Sequence, residues 1–370
     1  MRNAEFGLRN KTLKVVIAGG GTGGHLYPGI AIARELLRDP GNEVLFVGTE
    51  QGIEARVLPG EGLPLRFISV GKIKGMKLVS TLKTLITLPW SIIQSLLLLR
   101  DVDPDVVIGV GGYASGPVAL AVWLCRRPLL IIEPNSYAGL ANRVLGRLAQ
   151  KVVLCFPGTD RQQFFSKQKT VHAGPLARKG IDQGDRQKAL PAFGLEPGRF
   201  TVFVMGGSGG AHAINMAMKK AAKDLRRIVS LQVLHQTGAA DVAEVAAGYR
   251  EAGVKAVVLP YVVDMAGAYA VADLVVSRSG ATTVAELAVC GKRAVLVPFP
   301  FAADNHQEHN ARTLAARGAA EVVLQPELTP EKLAAMIEKY AAAKAPSIQP
   351  MANTAAEEIA GICRDYVQKN

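Results

Sequence analysis

The stretch KVVIAGGGTGGHLYPGIAIARELL, residues 14–37, decides how the rest of the chain is read. Val15, Val16, Ile17 and Ala18 form an unbroken apolar run, the pattern of a strand buried in a parallel sheet. Gly19, Gly20, Gly21, Gly23 and Gly24 follow, and only Thr22 and His25 carry larger side chains among them. Pro28 then falls where a first helical turn accepts it, and Ile30, Ile32, Leu36 and Leu37 carry a helical stripe. Strand, glycine loop and helix in that order aim backbone N–H groups and the positive end of a helix dipole at one point. An anion, typically phosphate, binds there. His25 places a titratable ring at the same mouth.

The pattern recurs along the chain. The apolar run 106–108 leads into GVGGYASGP (109–117), and 129–132 leads into EPNSYAGLANR (133–143). TVFVMGGSGGAHAINMAM (201–218) opens a second half with the same strand, glycine loop and helix. Further strands are expected at 43–47, 65–68, 151–154 and 170–173, then near 231–235, 257–259, 274–276, 294–297 and 321–323. The expected fold class is α/β, with two Rossmann-like domains facing across a cleft. Residues 1–176 would form the first domain and 177–352 the second. The Gly-, Pro- and charge-rich stretch 174–198 reads as the linker, and an amphipathic helix over 353–370 would pack back on the first domain.

Composition narrows the function. Of 370 residues 49% are apolar, enough for two sizeable cores, and 43 Lys and Arg against 31 Asp and Glu give a formal charge of +12. That balance suits an anionic partner. No RNP motif, zinc finger or basic helix is present, which argues against nucleic acid. Cys125, Cys155, Cys290 and Cys363 lie far apart, without disulfide or metal-ligand spacing, as suits a reducing cytoplasm. Residues 1–11 lack the apolar core of a signal peptide.

One segment stands apart. No acidic residue occurs between Arg66 and Arg100, and Lys72, Lys74, Lys77 and Lys83 precede the uncharged run TLITLPWSIIQSLLLL (84–99). Pro89 and Gln94 interrupt a run already short for a membrane span. Either this is a core helix behind a basic loop, or Trp90 and its apolar neighbours dip into lipid while the lysines meet anionic headgroups.

Several residues are candidates for chemistry. Gly19, Gly21 and Gly24, with Glu50 ending the next strand, fit a dinucleotide fingerprint, so a nicotinamide-dependent oxidoreductase is a rival reading. The second loop, GGSGG (206–210), favours a nucleotide in one half and its reaction partner in the other, with Ser208 donating to a phosphate oxygen. In SRSGATTVAE (277–286), Glu286 can accept from both hydroxyls of a ribose, or Thr283 and Glu286 form a capping box. PFPFAADNHQEHNA (298–311) gathers Asp304, Asn305, His306, Gln307, Glu308 and His309 at a helix start. They would cap it, read sugar hydroxyls, or place His306 and His309 on a metal. Arg178 is a phosphate or base contact, or a solvated charge. His25 fills a hydrogen-bonding role or acts as a general base.

Together GGGTGGHLYPG, GVGGYASGP, EPNSYAGLANR, GGSGGA, HQTG (235–238), SRSGATTVAE and PFPFAADNHQEHNA resemble the MurG family of GT-B glycosyltransferases, in that family's order from residue 19 to 311. The resemblance implies inverting transfer of N-acetylglucosamine from UDP-N-acetylglucosamine to the C4 hydroxyl of lipid I, giving lipid II, without metal or cofactor. It implies a peripheral protein on the anionic cytoplasmic face of the bacterial inner membrane. Thr22, Gly23 and Gly24 would approach the donor with Asn135, Arg178, Ser208 and Gln307, and Val262 would meet uracil through its backbone. Glu286 would hold the ribose, Asp304 and Gln307 would meet the sugar, and His25 would be the base, with Tyr113 and Glu133 lining the acceptor side. The chain departs from the family's usual pattern at residues 132–135 (IEPN), 174–178 (GPLAR) and 206–210. A related lipid glycosyltransferase, a UDP-N-acetylglucosamine epimerase and a non-catalytic sugar-nucleotide binder are the alternatives.

Overall fold

The computed structural model describes residues 12–70, 78–207, 209–343 and 348–368, with side chains other than those of 78–86, 160–161 and 367–368. In the first half run β1 (Lys14–Gly19), β2 (Glu43–Gly48), β3 (Leu65–Phe67), β4 (Val106–Gly111), β5 (Leu129–Glu133), β6 (Lys151–Leu154) and β7 (Thr170–His172). Helices α1 (Gly23–Leu36), α2 (Glu54–Gly60), α3 (Leu78–Val102), α4 (Ser115–Leu124) and α5 (Leu140–Leu145) connect them. After α6 (Arg186–Ala192) come β8 (Phe200–Met205), β9 (Leu231–Gln236), β10 (Ala256–Leu259), β11 (Leu274–Ser277), β12 (Ala294–Leu296) and β13 (Ala320–Val322). Their helices are α7 (His212–Leu225), α8 (Val242–Ala252), α9 (Met265–Val271), α10 (Ala281–Val289), α11 (His306–Ala315) and α12 (Pro330–Ala342), and α13 (Ala355–Gln368) closes the chain.

Both sheets are parallel, as strands covered on both faces suit: β4, β5 and β9 are buried along their whole length. The strand orders are β3-β2-β1-β4-β5-β6-β7 and β10-β9-β8-β11-β12-β13. Each sheet therefore starts at its centre, winds one way, and then returns to wind the other. The reversal opens a crevice beyond the C-terminal ends of β1 and β4, and another beyond β8 and β11. The glycine loops fall at these two crevices, and the two-domain Rossmann architecture read from the sequence is the one observed.

The stretch 174–198 is not a linker throughout. Asp185 caps α6, its carboxylate accepting from the N–H groups of Gln187 and Lys188 at 2.9 and 3.3 Å. Arg186 then ties α6 to the end of α9, reaching Val271 O at 2.7 Å and the Asp273 carboxylate at 3.0 Å. A local cap followed by tertiary contacts overrides the Gly and Pro punctuation. At the other end, α13 buries Ala355, Ile359, Ala360 and Cys363, packs on α1, and pairs Arg364 with Asp39 at 2.8 Å.

Within residues 84–99, α3 has one buried face and one exposed face. Leu98, Leu99 and the hydroxyls of Ser91 and Ser95 are buried, the serines donating to Thr87 O and Ser91 O one turn back. Trp90, Ile93 and Leu97 are 55%, 45% and 61% exposed, so large apolar side chains also line the outer face. No helix among the described residues is long and apolar enough to cross a membrane. Lys72, Lys74, Lys77 and the side chain of Lys83 lie outside the described residues.

Candidate active site

In the first half the loops after β1 and β4 interlock. The Gly20 N–H donates to Gly111 O at 3.3 Å, and a side chain at Gly112 would strike the Gly20 carbonyl. The buried Ser115 hydroxyl links them, donating to Ala18 O at 2.8 Å and accepting from the Gly111 N–H at 3.1 Å. His25, half-buried, rests on this base with Nδ1 3.0 Å from Val110 O. A carbonyl only accepts, so Nδ1 carries the proton and Nε2 keeps its lone pair. Gly111, at φ +94°, leaves room for the ring: a Cβ there would sit 2.6 Å from Nδ1. Burial holds the imidazole below its ordinary pKa against the Val110 hydrogen bond, and His306 from the second half lowers it further. The ring is neutral at pH 7. Thr22 is exposed and caps α1 without using its hydroxyl, Gly23 and Gly24 are partly exposed, and Tyr113, 41% exposed, lies beside Gly21.

In the second half Glu286 sits in mid-helix, 2% exposed. Gly280 is the N-cap of α10, so Thr283 and Glu286 form no capping box. The Glu286 carboxylate accepts from Arg178 Nε at 2.6 Å and from the Tyr269 hydroxyl at 2.9 Å. Arg178 is thus no free linker charge; its guanidinium also lies 5.2 Å from the Tyr27 ring centroid, across from α1. Val262 is buried and its N–H donates to Gln236 Oε1 at 2.9 Å, so a base meeting this backbone would exchange with Gln236. The other end of that carboxamide donates to Gly207 O at 2.8 Å. Gln236 is therefore a strut between the glycine loop and the Val262 backbone. Ser208 lies outside the described residues. Gln307 accepts from the Phe299 N–H at 3.0 Å, which fixes the approach to α11.

Two stretches read as ligand-binding also touch each other. Asn310 on α11 is fully buried and accepts from the Ser136 N–H at 2.8 Å and its hydroxyl at 3.1 Å. It donates to Asn135 Oδ1 at 3.1 Å and Ser279 O at 3.2 Å. Asp304 pairs with Arg143 at 2.8 Å, and Tyr137 stacks on His309 with centroids 4.7 Å apart. Asn135 is thereby buried in a clasp between the halves. Glu133 does not line the acceptor side: it is fully buried, accepting from Asn135 N–H and side chain, Gly139 N–H and Asn142 at 2.9–3.1 Å. Burial raises its pKa, against those hydrogen bonds. It shapes the loop from within. Replacing Asn310 by Ala should cost about 1–3 kcal/mol in urea denaturation, since buried partners lose their bonds. Asp304→Ala, on the exposed side of the clasp, should cost less than about 1 kcal/mol.

Residues 15–154 match the glycosyltransferase family 28 N-terminal domain and residues 201–365 the C-terminal domain of that family. The UDP-N-acetylglucosamine–N-acetylmuramyl-(pentapeptide) pyrophosphoryl-undecaprenol N-acetylglucosamine transferase of Thermodesulfovibrio yellowstonii is 46% identical over 88% of this chain and 89% of its own. The enzyme of the same name from Myxococcus xanthus is 46% identical over 96% and 93%. The crystal structure of Acinetobacter baumannii MurG superimposes with a TM-score of 0.69, at 31% identity over 95% of both chains. The chain belongs to the MurG family. Of the residues that hold the site together, Gln236 and Asn310 lie inside the quoted motifs without being singled out, and Tyr269 lies outside them. Gln236 ends β9 beside the second glycine loop, a position that could have marked it. Asn310, a poor helix former in mid-helix, offered a weaker signal.

Proposed function

We infer that this chain is a MurG glycosyltransferase, moving N-acetylglucosamine from UDP-N-acetylglucosamine to the C4 hydroxyl of lipid I to give lipid II. What carries the reading is membership of this family, with His25 held by Val110 at the first glycine loop and the Glu286 carboxylate paired with Arg178 in the second half. The donor lies on the second half, its diphosphate at the loop 206–210 and the α7 N-terminus, with Ser208 donating to it. The ribose hydroxyls take the Glu286 oxygen that Arg178 holds, which turns the guanidinium toward the diphosphate. The acceptor C4 oxygen attacks the anomeric carbon opposite UDP, and His25 Nε2 takes its proton. The anomeric C–O bond to UDP breaks, and N–H groups and Arg178 stabilise the charge on the leaving phosphate. The test is wild-type turnover of UDP-N-acetylglucosamine with a short-chain lipid I analogue. Disaccharide product with one UDP released per transfer is expected; UDP binding without product overturns the reading.

The acceptor's lipid calls for a membrane surface, and the exposed residues of α3 supply the first candidate. Packed beside them, α4 exposes Trp123 and Leu124, and α5 exposes Leu140 and Val144, with Arg126, Arg127 and Arg147 nearby in sequence. This flank would rest on the anionic cytoplasmic face of the inner membrane, as a peripheral contact. Trp90→Asp with Leu97→Asp should weaken co-sedimentation with anionic vesicles at least about tenfold, given the transfer energy of two large apolar side chains. Unchanged sedimentation rejects the dock.

A further inference from the structure

Glu54, in the first turn of α2, is 1% exposed, and its carboxylate is surrounded by backbone. Oε2 accepts from the Gly21 N–H at 2.7 Å; Oε1 accepts from the Thr49 N–H at 2.8 Å and the Thr49 hydroxyl at 3.1 Å. No cationic side chain pairs with it among the described residues. A methyl group at Gly20, Gly48 or Gly52 would run into the carboxyl group. Three glycines from two separate loops thus make room for one acid. The carboxylate joins the loop after β1 to the turn after β2.

A G-x-G-x-x-G loop binds a diphosphate by presenting its N–H groups outward. Here Gly20 donates to Gly111 O and Gly21 to Glu54, so both N–H groups at the loop's head are turned into the protein. A ligand phosphate placed there would also face a buried carboxylate of its own sign. The loop after β8 differs: no carboxylate accepts from its backbone among the described residues, and Gly210 N–H makes only a turn bond to Gly207 O. We propose that Glu54 is an internal anion that closes the first glycine loop to nucleotide diphosphates and positions His25, at the loop's end, for the acceptor. The first half of this proposal stands on the geometry alone; the second rests on the transferase reading. Glu54 is a positioning residue, acting through Gly21 on a loop that ends at His25.

Wild-type protein gives the first test. UDP should bind once per chain and slow amide hydrogen exchange in the loop 206–211, leaving Gly21 exchange unchanged; protection of Gly20 and Gly21 by UDP overturns the closure. Two variants test the positioning. Glu54→Gln sets an N–H₂ group against one of the donors, while Gly52→Ala displaces the carboxylate, keeps its charge and leaves the loop's own sequence intact. In both, Gly21 exchange should speed up at least about tenfold and the KM for a lipid I analogue should rise at least about tenfold. The UDP Kd should stay within about twofold. A merely structural acid would weaken donor and acceptor together. Wild-type Gly21 exchange and acceptor KM in Glu54→Gln overturn the proposal. Should the wild type bind UDP and fail to transfer, the transferase reading falls, while the exchange and stoichiometry measurements still decide the role of Glu54.

Discussion

Substituting His25 by Ala should lower kcat for transfer by about 10²–10⁴-fold, with UDP binding unchanged. The ring is held by Val110 O through Nδ1 and presents an unprotonated Nε2. Its pKa lies below the ordinary histidine value because burial disfavours the cation. Lowering the pH therefore protonates the base only below that ordinary value. Wild-type kcat/KM should be flat between about pH 7 and 8 and fall as pH drops through a midpoint below 6.5, the reference value. The residual activity of His25→Ala should lack that limb. A limb that survives the substitution assigns proton removal to another group.

Glu286→Ala should act on both stability and donor affinity. It leaves Arg178 without its carboxylate and the buried Tyr269 hydroxyl without an acceptor. Breaking a fully buried pair costs about 3–5 kcal/mol; Arg178 keeps 30% of its side chain exposed, so about 2–4 kcal/mol is expected in denaturant titration. The KM for UDP-N-acetylglucosamine should rise about a hundredfold, as two charge-assisted bonds to the ribose are lost. Tyr269→Phe separates the effects, because it leaves the Arg178 pair intact: a donor KM close to wild type is expected. Equal KM defects in the two variants would reassign the ribose contact.

What was legible in the sequence was local. The run 15–18 followed by five glycines dictates strand, loop and helix with no reference to the rest of the chain, and its recurrence at 201–218 dictates the second sheet. The same reasoning located both glycine loops at crevices, because a parallel sheet puts its loops at strand ends. Polar side chains were less legible, since spacing shows where a group leaves the backbone and not which neighbour receives it. Glu133 follows a buried strand and looked like a wall of the cleft; the N–H groups of its own loop draw it inside. Asn135 and Asp304 lie 169 residues apart in sequence, and their place in the clasp could not be read from spacing. Asp185 turned a presumed linker into a helix with two hydrogen bonds.

The return of α13 to α1 makes the second half an insertion within the first, so the backbone passes between the halves twice. The outward and homeward passages run side by side, pinned where the Asn353 side chain donates to Arg178 O at 3.2 Å. A body held by one strand can swivel about it; a body held by two adjacent strands bends about the line joining them and resists torsion. Twisting of one half against the other is thereby resisted. Arg178 lies at that crossing, its carbonyl pinned by Asn353 and its guanidinium facing Glu286.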